Sequence, residues 1–421
     1  MTAINATRRT LSTMAVISLL ALTAMAEDQF DWPRFRGPDG NGISKETAWN
    51  PAALNTPKIL WKTHLVRGYS VAAIKGDRLY LTGFRHVICL NSKDGKQVWD
   101  YEYPEKGEPH MGLDGTHATP TVDGGSVYAL GNLGHLFCLN AADGKVKWQK
   151  NLQSDFGALV PNYGFAASPV VFGDLLLINA GEHGLCLKKA TGDTVWASPA
   201  GTLGAHATPV FYKQGGKDCM AIFNSKAIQG IEVATGKKLW SYNWLTHSAD
   251  LPLNMTDPIV FDGKVFISTG YGYMAGSGGC ALIDISGPEA KLVWQNKNLS
   301  TDCSTAIMLD GYVYGLHGHL SREFELRCLE VASGKVMWAT PMVWGGLMAA
   351  DGKLIVTNNS GDIFVVKANP KAYEEIASAK GLPQEKGNCW TAPVLSRGVI
   401  YIRTVKAKFE GDVLIAIDVS K

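Results

Sequence analysis

The side chains most able to bind or react are Tyr69, His110, His117, His206, Asp257, Trp344 and Trp390. Imidazole, phenol and indole rings gathered around one opening would stack a flat ligand or a sugar. Asp257, set two residues further in, is a candidate channel acid. Other chemistries find weaker support. His317-Gly-His319 puts two imidazoles on one face of a strand, enough to begin a zinc or copper site, but no third ligand lies nearby in sequence, so it reads as a polar loop. Gly276-Ser-Gly-Gly279 is flexible, yet no helix follows to present its N-terminus to a phosphate. There is no Gly-x-Ser-x-Gly nucleophile motif and no Cys-x-x-Cys-His haem attachment.

A repeat positions these residues. An eleven-residue phrase runs from Cys89 to Trp99 (CLNSKDGKQVW) and returns as Cys138–Trp148, Cys186–Trp196, Gly230–Trp240 and Cys328–Trp338. A stretched copy spans Ala281–Trp294. The closing tryptophans are 49, 48, 44, 54 and 44 residues apart. That period, with several strands per unit, indicates a β-propeller. Each phrase reads as a hairpin, a strand leading through Asp-Gly or Thr/Ser-Gly into a tryptophan strand. Upstream lies a second strand pair, clearest at Ala118–Leu130, in which proline falls where no ladder donor is needed. Four strands, A to D, make one blade.

The phrase resembles the tryptophan-docking motif, A-x-D/N-x-x-T-G-K-x-x-W, of pyrroloquinoline quinone (PQQ) repeat propellers. That family includes quinoprotein alcohol dehydrogenases and the lipoprotein propeller of the bacterial outer-membrane β-barrel assembly machine. Asp31-Trp-Pro-Arg-Phe-Arg-Gly-Pro-Asp-Gly40 is similar to the start of exported bacterial proteins with such repeats. The resemblance covers about residues 57–420 and implies a fold more than a function, because the family holds enzymes and non-enzymes. In its dehydrogenases, PQQ and a calcium ion sit over the channel mouth with an aspartate as base. Calcium needs several oxygen ligands. Here Asp257 is the one acid near the ring, with Asp114, Asp155 and Asp250 on loops, and no two cysteines are adjacent to form those enzymes' disulfide.

Eight blades are expected. Six end at Trp99, Trp148, Trp196, Trp240, Trp294 and Trp338. A seventh begins near Gly346 without the tryptophan, its last strand near Tyr373–Ser378. The eighth has strands at 392–395, 399–403 and 413–419. Lys58-Ile-Leu-Trp61-Lys62 is a spare tryptophan strand, expected to complete the eighth blade and close the ring, hiding sheet edges. The fold class is therefore all-β, an eight-bladed propeller of four-stranded antiparallel blades. The tryptophans, Trp61 included, read as inter-blade packing. Tight C–D turns fall on one face; long D–A connections, and all ten histidines, fall on or beside the other, called the top. Strand A lines the channel. Counting three residues before the proline position gives a mouth ring of Tyr69, His117, Ala166, His206, Met255, Ser304, Trp344 and Trp390. Its aromatics either bind a ligand or fill the channel as core.

Residues 1–26 read as a signal peptide. Arg8 and Arg9 precede an apolar run, and Ala24-Met25-Ala26 suits cleavage before Glu27. Thr7-Arg8-Arg9-Thr10-Leu11 faintly resembles a twin-arginine signal. No cysteine stands at the cleavage point for a lipid anchor. Residues 27–56 read as an extension packed on the propeller, with Trp32, Phe35 and Arg36 as its latch, and 57–421 as the propeller. Without the first 26 residues, 38 basic side chains face 38 acidic ones, which argues against a nucleic-acid partner. Cys89, Cys138, Cys186 and Cys328 repeat one small buried slot, about 10 Å apart between blades, beyond the ~7 Å a disulfide spans. One pair among Cys219, Cys280, Cys303 and Cys389 stays open. The expected function is an exported, non-catalytic binding propeller with a protein or glycan partner on its top face. The alternative is a PQQ- and calcium-dependent oxidoreductase; a carbohydrate-binding propeller is third.

Overall fold

A computed structural model describes residues 29–104, 115–244, 253–270, 278–318, 323–382, 388–405 and 412–421. Among them are eight sheets, seven of four antiparallel strands and one, in blade 7, of five. Blades 1 to 6 begin with the short inner strands 73–75, 121–123, 170–172, 210–214, 259–261 and 307–309. Blade 7 runs from Gly345–Ala350 to Glu375–Ala379, the latter a strand as its place in the repeat requires. Blade 8 takes Val394–Ser396, Val399–Thr404 and Asp412–Asp418 from the end of the chain and Lys58–Leu65 from its start. Lys58–Leu65 pairs along its length with Asp412–Asp418, so the ring closes by joining its two ends.

The repeated phrase acquires its physical reason here. The turn glycines Gly95, Gly144, Gly192, Gly236 and Gly334 all have φ near +70°, which a side chain rarely tolerates. Each is also roofed by the tryptophan of the preceding blade. A Cβ on Gly144 would stand 2.7 Å from Trp99, and one on Gly236 2.7 Å from Trp196. Beside that contact the indole N–H donates to a carbonyl of the next blade: Trp61 to Ser92, Trp99 to Ala141, Trp148 to Lys189, Trp196 to Val233, Trp294 to Val331 and Trp338 to Asn369. Turn and tryptophan are thus two halves of one inter-blade joint. Trp240 departs from the rule. It faces the stretched copy in blade 5 and donates to Tyr212 of its own blade, while Gln214 reaches across to the carbonyls of Ile285 and Gly287.

All eight thiols are free, so no pair forms among Cys219, Cys280, Cys303 and Cys389. Seven are buried and Cys303 is exposed. Burial holds the thiols of Cys89 and Cys186 up at about 12, as befits packing atoms.

Blade 7 has a fifth strand that the repeat does not announce. Ile43–Ser44 pairs in parallel with Ala349–Ala350 on the inner edge of that blade, inside the channel. The opening segment crosses the lower end of the channel, on the side of the A–B turns. Trp32 bridges Ile74 of blade 1, Pro33 accepts from the N–H of Val122 of blade 2, and Phe30 accepts from Ser396 of blade 8. Asp31 and Glu46 accept the A–B turn amides of Gly76, Arg397 and Gly398. The segment is a plug.

Candidate functional site

The approach to strand A of each blade carries a residue that lines the axial cavity, and in blades 1 to 6 the second residue after it ties the blade to a neighbour. The N–H of Val71 donates to Thr119 Oγ1 (3.1 Å), Thr119 to Ser168 Oγ (3.0 Å), Ser168 to Thr208 Oγ1 (3.2 Å), Thr208 to Asp257 Oδ1 (2.7 Å) and Asp257 to Thr305 Oγ1 (2.9 Å). Six blades are laced by this girdle, whose acceptors are short oxygen-bearing side chains. Asp257, expected as a channel acid, is one of the five acceptors, the other four being serine or threonine.

The girdle also corrects the ring. Thr305 is the partner equivalent to Asp257, so the residue two earlier in blade 6 is Cys303. The expected Ser304 was one position late. Blade 6 lacks the proline from which the count was made, whereas its Asp310-Gly311 turn aligns with Asp262-Gly263 of blade 5 and gives the right register.

Above the girdle lies a cavity of about 470 Å³. It is lined by Tyr69, His117, Ala166, His206, Met255, Cys303, Ser304, Trp344 and Trp390, together with Tyr163, which sequence reasoning did not single out. His110 falls outside the described residues. Four rings from consecutive blades form a stacked arc. His117 lies 4.6 Å from Tyr69 at 7°, Tyr69 lies 5.5 Å from Trp390 at 12°, and Trp390 lies 5.5 Å from Trp344 at 27°. Across from them Tyr163 meets His206 edge-on at 5.8 Å. The aromatics therefore neither fill the channel nor stand apart. They pack on one another and leave a walled space beside them. Burial pushes His117 down to about 4, against a 3.4 Å contact with Asn132 Oδ1 that favours the cation, so its imidazole is neutral at pH 7.

The plug supplies the floor. Trp32, Phe35 and Arg36 line the cavity with Asp257, so the expected latch is also a wall of the site. Arg36 is nearly saturated by carbonyls of Gly40, Asn41, Thr305 and Ala306. Its Nε lies 3.9 Å from Asp257 Oδ2. Burial raises Asp257 to about 6, opposed by Arg36, the Thr208 amide and Arg34. Burial likewise lowers Arg36 to about 10. At neutral pH the floor is an ion pair of near-zero net charge.

Among the described residues the remaining histidines form no metal-holding group. His86 pairs with Asp100 at 2.8 Å, and His317 Nδ1 accepts the Ser300 amide at 3.0 Å, which fixes its proton on Nε2. His319 and His247 lie outside the described residues. No three His, Cys, Asp or Glu side chains group to hold a metal among the described residues. Calcium does not fit the cavity as built. Asp257 is its one carboxylate; one oxygen takes a backbone amide and the other faces a guanidinium. Asp155 is engaged by Asn151 and Ser154 in its own loop, and Asp114 and Asp250 lie outside the described residues.

The fold and this axial cavity define the class, an eight-bladed propeller closed by tryptophan-docked blades. A family model described as outer membrane protein assembly factor BamB matches residues 52–158 and 106–340, and the chain belongs to this family of PQQ-like repeat propellers. No curated protein matches the sequence. Among solved structures, the chain is similar to BamB from Moraxella catarrhalis at 15% identity, TM-score 0.60, covering 86% of this chain and 97% of that one. It is also similar to the quinohemoprotein alcohol dehydrogenase of Comamonas testosteroni at 13% identity, TM-score 0.70, covering 93% and 81%. A europium-containing methanol dehydrogenase gives 13% identity, TM-score 0.67, covering 94% and 100%. At such identities the likeness is one of fold.

Proposed function

We propose that this protein is an exported, non-catalytic binding propeller whose axial cavity and top face engage a protein or glycan partner. One observation carries the reading: the cavity has binding walls but no reacting set. Stacked rings offer edges and apolar surface, while the only carboxylate is neutralised by Arg36 from the plug. The family description, an assembly factor, supports a protein partner. Export rests on the apolar run after Arg8-Arg9 and the small residues before Glu27. Those residues lie outside the described ones; among the described residues no helix is long and apolar enough to span a membrane.

The likeness to quinoprotein dehydrogenases favours a second reading, a PQQ- and calcium-dependent oxidoreductase with its cofactor over the cavity. The indole and phenol arc supports a third, a carbohydrate-binding propeller. Calorimetric titration of the protein from Glu27 onward separates them. PQQ with and without calcium should give no saturable heat, and Asp257→Ala should not change that. Calcium-dependent PQQ binding that weakens in Asp257→Ala would replace the binding reading with the oxidoreductase. Neutral oligosaccharide binding lost in Trp390→Ala would establish the third.

A further inference from the structure

Three successive places in the mouth ring are held by His206, Met255 and Cys303, from blades 4, 5 and 6. The Cys303 Sγ and Met255 Sδ atoms are 3.8 Å apart. Both line the cavity, and Cys303 is the one exposed cysteine of the eight. Six of the other seven thiols lie within blade strands, and Cys389 contacts the carbonyls of Thr391 and Arg403. Only Cys303 stands in the cavity beside a second sulfur.

Thiolate and thioether are soft donors that select monovalent copper over hard cations. With metal–sulfur bonds of about 2.3 Å, two sulfurs 3.8 Å apart subtend about 110° at a shared ion, an angle that leaves room for a third ligand. The next ring place offers an imidazole, His206, on the neighbouring blade. The register that delivers one residue per blade to the axis thus sets a sulfur–sulfur–nitrogen series along one side of the mouth, opposite the stacked arc. We propose that Met255 and Cys303, with His206 as third ligand, form a site for one Cu(I) ion at the mouth of the cavity. This goes beyond the partner-binding reading and does not depend on it.

Binding would exchange the thiol proton for the ion. The S–H bond breaks, a sulfur–copper bond forms, the proton leaves to solvent, and no electron moves. A thiol with its ordinary pKa of about 8.5 is protonated at neutral pH, so one proton should be released per ion bound.

The test is titration of the full exported chain with Ag(I), a redox-inert stand-in, and with Cu(I) against a chromogenic chelator, read by native mass spectrometry and by proton release. The expected result is one ion per chain, with two sulfur neighbours in the copper absorption spectrum. Cys303→Ser should abolish binding, and Met255→Leu should weaken it by about tenfold or more. His206→Gln should weaken it without removing either sulfur from the spectrum. Unchanged thermal unfolding of Cys303→Ser separates loss of the site from loss of the fold. No uptake of either ion by the unsubstituted protein overturns the proposal, as does uptake that persists in Cys303→Ser or tighter binding of Zn(II) than Cu(I).

Discussion

Replacing Arg403 by methionine should unlatch the ring where its two ends meet. Arg403, in the second strand of blade 8, has a side chain 1% exposed, and its partner Asp412 is fully buried. The guanidinium donates to Asp412 Oδ2 at 2.9 Å, to Ser70 Oγ at 3.0 Å, to the Thr82 carbonyl at 2.8 Å and to the Val66 carbonyl at 2.9 Å. Asp412 in turn accepts the Gly68 amide at 2.8 Å. One side chain therefore clasps blade 8 to the segment entering blade 1. Gly68 admits it, since a Cβ there would stand 2.7 Å from Arg403 Nη2. Removing one partner of a buried pair costs about 3–5 kcal/mol, and stranding buried carbonyls adds about 1–3 kcal/mol. Arg403→Met should thus lose on the order of 5 kcal/mol in urea unfolding followed by tryptophan fluorescence. Its deficit should shrink at acid pH, where Asp412 takes a proton. Arg403→Met with Asp412→Leu should recover most of the loss, because an apolar pair removes the unpaired charge. A single variant within about 1 kcal/mol of the parent, or a double variant no better than the single, would refute the clasp.

Two further outcomes follow from the joints and the buried titrating groups. Trp99→Phe, which keeps an aromatic ring over Gly144 and drops the bond to Ala141, should cost about 1 kcal/mol, against about 3–5 kcal/mol for Trp99→Ala; equal losses would mean that the indole stacking contributes little. Burial lowers His117 and His317 to about 4, so below pH 6.5 the unfolded chain binds more protons at both, and their stability is present above pH 6.5 and lost as pH falls towards 4. Asp257, raised to about 6, acts oppositely, its contribution being full below pH 3.8 and lost as pH rises through 6. Two such groups outweigh one, each worth on the order of 3 kcal/mol, so stability should climb from pH 4 to 6.5. The climb should flatten in His117→Asn and steepen in Asp257→Asn, as read from urea midpoints across pH.

Much of the architecture is legible in the order of residues, because a blade is a local object. Hairpins need an Asp-Gly or Thr-Gly turn, tryptophans at a fixed offset need an identical surface to pack on, and both recur in the chain at about the spacing of one blade. Even ring closure shows in the spare strand at Lys58–Lys62, which has a tryptophan and no blade of its own. Seven of the eight mouth residues follow from the same count. The eighth slipped by one, because proline is a poor marker in a blade that lacks it, while the Asp-Gly turn is a steric necessity.

What the sequence could not settle were contacts between residues far apart in the chain that obey no repeat. Arg36 meets Asp257 across 221 positions, Arg403 meets Val66 across 337 and Asp31 meets Arg397 across 366. The plug is a single irregular segment, so nothing in its own pattern tells that it closes the channel floor and neutralises the one acid there. The sulfur pair is similar in kind. Met255 and Cys303 look unremarkable 48 residues apart, until the ring register sets them side by side. The local chemistry of turn and tryptophan makes the blade, and only closure of the ring decides which side chains share its axis.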